Sequence, residues 1–217
     1  MIEALRLEEI KQVSSYDYFA ACLTMTGDVY LWGKLSYIGL SDASSLQLVQ
    51  RQKGVLEVAC GYDHALILQE DGVYAIGYSC KGQCGLGYQR TKFTKVDGLD
   101  GKDIIKIACG FKCSAALTRS GQVYVWGRAL CGIKDEPTTR PALIQLDDVV
   151  DISVGGAHVL ALDRQDRVFA WGENECGQCG VNSSAEWINT PTHVPNVEIY
   201  RVLQITTGKL ISVIKYQ

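Results

Sequence analysis

The residues best suited to chemistry in this chain are its cysteines and histidines. Nine cysteines stand at positions 22, 60, 80, 84, 109, 113, 131, 176 and 179, and three histidines at 64, 158 and 193. Cys176-Gly177-Gln178-Cys179 has the spacing of a redox pair, and Cys80-Lys81-Gly82-Gln83-Cys84 could supply half a metal site. A redox pair belongs at a helix start after a strand, and nothing helical follows residue 179. The chain has no Ser/His/Asp arrangement, no Gly-x-Ser-x-Gly turn and no phosphate loop with its lysine. Gly82-Gln83-Cys84-Gly85-Leu86-Gly87 is glycine-rich but lacks that lysine. Glu8-Glu9 and Asp147-Asp148 are too local for paired acid–base work. The expectation is a non-enzyme without cofactor or metal.

Composition narrows the class. The 217 residues carry 21 Lys and Arg against 24 Asp and Glu, a net charge of −3. That balance argues against a protein that coats nucleic acid or an anionic membrane. No apolar run is long enough to span a bilayer, and the N-terminus has no basic-then-apolar signal. The cysteines are therefore expected as reduced thiols in the cytoplasm, or the nucleus.

The elements that must position these residues come from a repeat. Tyr18 to Gly33, His64 to Gly77, Ser114 to Gly127 and His158 to Gly172 align, with matching leucines at 23, 68, 117 and 162. The spacing of about 45 residues is that of a four-stranded propeller blade. In each unit an apolar run precedes a glycine, as in Val55 to Cys60 before Gly61. A second run, a tight turn and a third run ending in Trp/Ile-Gly follow, and then a polar loop and a weaker strand. Glu3 to Val13 has helical composition, but its counterparts are extended, so it is read as strand. Cys60 and Cys109 share one slot, Cys84 and Cys179 a second, and Cys131 and Cys176 a third. All are read as packing positions.

Gly61-Tyr62-Asp63-His64…Leu68, Gly121-Gln122-Val123-Tyr124-Val125-Trp126-Gly127 and Gly177-Gln178-Cys179-Gly180 resemble the repeats of the regulator of chromosome condensation family. The resemblance implies an all-β fold, a β-propeller usually of seven blades. Here one domain holds four full repeats (about 10–54, 55–103, 104–148 and 149–200) and a partial fifth (201–217) that stops after its second strand. Such an arc leaves open strand edges. The expectation is a piece of a longer chain or a self-associating one, a smaller ring closed by the N-terminal strand being the third option.

A rigid ring presents its loops on one face, and the loop after each first strand carries the candidate site. It reads Tyr16-Asp17-Tyr18, Tyr62-Asp63-His64, Phe111-Lys112-Cys113 and Gly156-Ala157-His158. The candidate partner-binding residues are Tyr16, Asp17, Tyr18, Tyr62, Asp63, His64, Phe111, Lys112 and His158. Aromatic rings beside charges suit a protein interface. The resemblance implies that Asp17, Asp63, His64 and His158 match the loop residues by which the family's nuclear exchange factor contacts the GTPase Ran. The family's light sensor uses Trp and Arg in this loop, which are absent here. The histidines have a second reading, as loop fasteners. The expected function is a protein-interaction scaffold. The alternative is a guanine nucleotide exchange factor for a Ran-like GTPase, although the repeat intervals leave room for only about four extra residues where that factor carries a wedge.

Overall fold

The computed structural model describes residues 10–51, 54–87, 90–128, 138–197 and 201–217. These form five antiparallel sheets. The first is β1 (Ile10–Tyr16), β2 (Phe19–Thr24), β3 (Asp28–Gly33) and β4 (Ala43–Arg51). The second is β5 (Val55–Cys60), β6 (His64–Gln69), β7 (Gly72–Gly77) and β8 (Arg90–Lys95). The third is β9 (Ile104–Cys109), β10 (Cys113–Thr118), β11 (Val123–Gly127) and β12 (Thr138–Leu143). The fourth is β13 (Val149–Val154), β14 (His158–Asp163), β15 (Val168–Glu173) and β16 (Trp187–His193). The fifth has two strands, β17 (Val202–Thr207) and β18 (Ser212–Tyr216). Each sheet is an up-and-down meander, the blade of a propeller. The expected four blades and a fifth of two strands are what the chain forms.

The blades stack face to face, and the core is the set of layers between them. Every residue of β6, β10 and β14 is buried, because neighbouring blades cover both faces of these strands. Leu31, Leu35, Ile38, Val58 and Ile67 fill the layer between the first two blades. Leu66, Ile107 and Trp126 fill the next, and Leu117, Val125, Leu160 and Trp171 belong to the continuous core of blades three to five. Trp126 and Trp171 each pack against the preceding blade and are wholly buried. Trp32, in the same slot of the first blade, is only half-buried.

The first strand of each blade lines a polar groove of about 640 Å³. There one slot latches blade to blade. Val58 N donates to Gln12 Oε1 (2.9 Å), Ile107 N to Glu57 Oε2 (2.9 Å), and Lys106 Nζ pairs with Asp151 Oδ1.

One expectation lies partly outside the described residues, and one changes. The strand read over Glu3 to Val13 is β1 from Ile10, and residues 1–9 lie outside the described residues. The first unit also shifts by one position. Tyr16 pairs with Phe19 as Cys60 does with Ala65 one step earlier, so Tyr16 occupies the slot of Gly61, and Tyr18 that of Asp63.

Candidate functional site

The turn after each first strand is pinned from two sides. From within its blade, the residue after the third strand's glycine donates to the turn: Tyr78 N to Asp63 O (2.8 Å) and Arg128 N to Lys112 O (2.8 Å). These glycines adopt positive φ, 117° at Gly77 and 99° at Gly127. A Cβ on Gly77 would lie 2.5 Å from Asp63 O, so only glycine lets the turn close down on the strand end. From the neighbouring blade, carbonyls receive the turn's N–H groups: Tyr62 N donates to Gly110 O (3.2 Å) and Phe111 N to Gly156 O (2.9 Å). The turns are thus chained together along one face.

On that face the rings touch. Tyr18 stacks on Tyr37 at 4.8 Å between centroids and 6° between planes. Tyr62 meets Tyr18 edge-on at 5.4 Å and Tyr37 at 5.6 Å, and it meets Phe111 at 4.4 Å. Cations border the row. Lys34 Nζ lies 5.6 Å from the Tyr18 centroid, and Lys112 Nζ and Lys209 Nζ lie 5.5 and 5.7 Å from that of Phe111. Asp17, at φ 32°, faces Lys209 at 4.0 Å.

Of the nine predicted residues, Asp17, Tyr18, Tyr62, Phe111 and Lys112 come together on this surface. Tyr16 turns to the groove, its hydroxyl buried without a hydrogen-bond partner. Burial, with Cys113, Asp17 and Glu173 nearby, pushes that phenol well above its usual range. Asp63 is 6% exposed and accepts from Gln83 Nε2 at 2.8 Å. His64 and His158 are 0% exposed.

The histidines are clasps between blades. His64 Nε2 lies 2.8 Å from Ser114 Oγ, which donates to Gln83 O at 2.8 Å. That hydroxyl gives its one proton to Gln83, so His64 Nε2 is the donor to it. Trp126 Nε1 donates to the same carbonyl at 2.8 Å. The clasp recurs with His158 Nε2, Ser212 Oγ (3.0 Å) and Gln178 O (2.7 Å). Burial lowers the His158 pKa to about 4, so the His158 clasp is built from neutral imidazole. This geometry carries the fastening role and leaves neither ring a surface to offer a partner.

The cysteines divide. Cys60, Cys84, Cys109 and Cys179 are buried, and Cys84 Sγ and Cys179 Sγ donate to backbone carbonyls of Tyr78 and Glu173. Burial pushes the Cys60 and Cys179 thiols up to about 12, far from a reactive thiolate. Cys176 is exposed, contrary to its reading as a packing position. What fastens its turn is Gln178, whose Oε1 accepts from Cys176 N at 2.9 Å. Cys131 lies outside the described residues. Among the described residues, no three His, Cys, Asp or Glu gather to hold a metal, and no helix is long and apolar enough to cross a membrane.

The sequence reading missed the second set of loops on this face, those after each third strand. They bring Lys34, Tyr37, Arg128 and, at the start of β16, Trp187 beside the first set. β3 runs antiparallel to β2, so its far end must return to the same edge of the blade. That topological signal was available.

Family models for the regulator of chromosome condensation (RCC1) repeat match residues 55–83, 104–133 and 149–178, and, in a second form, 70–117 and 165–214. The E3 ubiquitin-protein ligase HERC2 of Mus musculus is 35% identical over 161 residues, 67% of this chain but 3% of that protein. The mitochondrial RCC1 domain-containing protein RUG3 of Arabidopsis thaliana is 33% identical over 130 residues, 55% of this chain and 29% of that protein. Human WBSCR16 superposes with a TM-score of 0.80 at 26% identity, over 91% of this chain and 56% of that one. Prp20p of Saccharomyces cerevisiae superposes at 0.85 and 19% identity, over 97% and 56%, a likeness of fold. The chain thus spans a small part of these curated relatives and about half of these solved propellers. The repeat matches cover most of the residues whose blades are described above, and the chain belongs to the regulator of chromosome condensation (RCC1) repeat family.

Proposed function

We propose that the chain is a non-enzymatic interaction module that holds a protein partner against its loop face. The observation that carries this reading is the row of four touching rings across three blades. A turn needs only small or polar residues to reverse the chain. Aromatic rings with cations at their border have instead the make-up of an interface centre. Tyr18, 41% exposed, keeps an open ring although it already stacks on Tyr37. The solved structure of Prp20p is described as binding Gsp1p and histones, which is a protein-binding precedent on a similar fold. Guanine nucleotide exchange has less support here, because Asp63, His64 and His158 are engaged inside the blades.

The test is an affinity capture from host lysate with the chain and its Tyr18→Ala/Tyr62→Ala/Phe111→Ala variant. Both are first shown to be folded by circular dichroism and thermal melting. Loss of at least one captured protein by roughly tenfold from the variant is expected. Equal recovery of the same proteins from both ends the reading. A captured small GTPase that releases labelled GDP faster with catalytic amounts of the chain would replace the scaffold by an exchange factor.

A further inference from the structure

The ring row ends at a pocket of about 260 Å³. Phe111, Trp187 and Leu210 form its apolar walls, and Lys112, Arg128 and Lys209 stand around it. Glu173 is the one carboxylate among the lining residues, and its Oε2 already accepts from Gln178 Nε2 at 3.2 Å. Three cations against one engaged carboxylate is a reversal of the chain's overall charge of −3. Trp187 Nε1 is shut off from solvent, so the indole gives the pocket an apolar wall and no reachable donor.

We infer that this pocket takes one apolar side chain from an acidic, extended segment of the partner protein. The inference rests on the loop-face reading and gives it a chemical class. The volume is below that of pockets for drug-sized molecules and suits a single side chain. That side chain packs between Phe111, Trp187 and Leu210. Aspartate or glutamate residues on either side lie over Lys112, Arg128 and Lys209, where charge-assisted hydrogen bonds form. A nucleic acid strand could stack on rings and pair with cations. Asp17, Glu173 and the net negative charge of the molecule oppose such a polyanion more than a short peptide.

The experiment uses a display library of random twelve-residue peptides, selected on the whole immobilised chain. The enriched peptides are then titrated against the chain, Lys112→Glu/Arg128→Glu and Trp187→Ala, each with its melting temperature measured. A single-stranded 20-mer of DNA is titrated in parallel. Enriched peptides with one Leu, Met or aromatic residue between acidic residues are expected. They should weaken by roughly tenfold or more with the charge reversal, and several-fold with Trp187→Ala, which removes one apolar wall of the pocket. Enrichment of peptides without acidic residues, no enrichment at all, affinity untouched by the charge reversal, or DNA bound as tightly as the peptides would each overturn the inference. If lysate capture still depends on Tyr18, Tyr62 and Phe111 in any of those cases, the loop-face reading survives while the acidic-segment assignment falls. If capture does not depend on them, both fall.

Discussion

At the scale of single residues, the same chemical types do opposite work depending on burial. His64 reads as a surface contact by its loop position, yet its ring is fully enclosed and holds Ser114 of the next blade. His64→Ala should leave a cavity and an unpaired serine, and destabilise the fold by about 2–4 kcal/mol. Partner affinity, measured where the variant is still folded, should be unchanged. A variant with normal melting and weakened binding would return His64 to the interface. Half-buried Glu57 and buried His158 set a pH dependence. Burial raises the Glu57 carboxyl to about 7, although Ile107 N–H and Lys106 oppose the shift. The folded state therefore binds more protons than the unfolded one between pH 4.5 and about 7, and stability falls with rising pH across that window. His158, lowered to about 4, acts in reverse, and its contribution is lost as pH falls from 6.5 to about 4. The two slopes oppose each other where they overlap. Glu57→Gln keeps an acceptor for Ile107 N–H and removes one slope. It should be more stable than the parent by about 2 kcal/mol at pH 8 and nearly equal to it at pH 4. Denaturant titrations at the two pH values decide this, and a variant weaker than the parent at pH 8 would show that charged Glu57 is a net benefit.

At the scale of the strand and its turn, the Trp-Gly or Ile-Gly end of each third strand is what shapes the site. Gly127, at φ 99°, lets Arg128 N–H reach Lys112 O, and so holds the turn that displays Phe111 and Lys112. Gly127→Ala places a Cβ against that carbonyl in a backbone region that side chains rarely adopt. It should cost about 2 kcal/mol or more and move the Phe111 turn, so that melting temperature and partner affinity fall together. Unchanged affinity in a destabilised Gly127→Ala would uncouple the strand end from the site. Much of this scale is legible in the sequence. The glycine punctuation and the apolar runs place the blades, because each strand is short, apolar and bounded by a residue that must turn. The first turn is misaligned by one position because Tyr16 stands where the other units have glycine, which removes the marker that sets the register. Tyr37 and Trp187 escape because they lie within, or directly after, connections of unequal length, where the repeat no longer aligns. Inward or outward facing at Asp63 and His64 escapes too, since it depends on tertiary neighbours: Gln83 in the loop after β7 of the same blade, and Ser114 of the next blade.

At the scale of the whole molecule, each blade is stable by virtue of its neighbours, as in any stacked repeat. Blades two to four are covered on both faces, and their second strands are bonded to strands on either side. The fifth blade is held differently. β17 buries Val202 and Ile205 against the fourth blade, but β18 pairs with β17 alone among the described strands. Leu210, Ile211, Val213 and Tyr216 in and before β18 are between 47% and 61% exposed. Opening β18 breaks one ladder and the Ser212 clasp and uncovers little apolar surface, whereas opening β10 breaks two ladders and two core layers. Hydrogen–deuterium exchange should therefore run at least roughly 100-fold faster in β18 than in β6, β10 or β14, through local opening that leaves the loop face intact. Partner binding over Lys209 and Leu210, immediately before β18, should slow that exchange, which ties the edge of the fold to the pocket. Exchange in β18 as slow as in β10, and faster on dilution, would have a different cause: a second copy paired along the strand edge. In that case the edge, and not the loop face, would be where this chain first meets another protein.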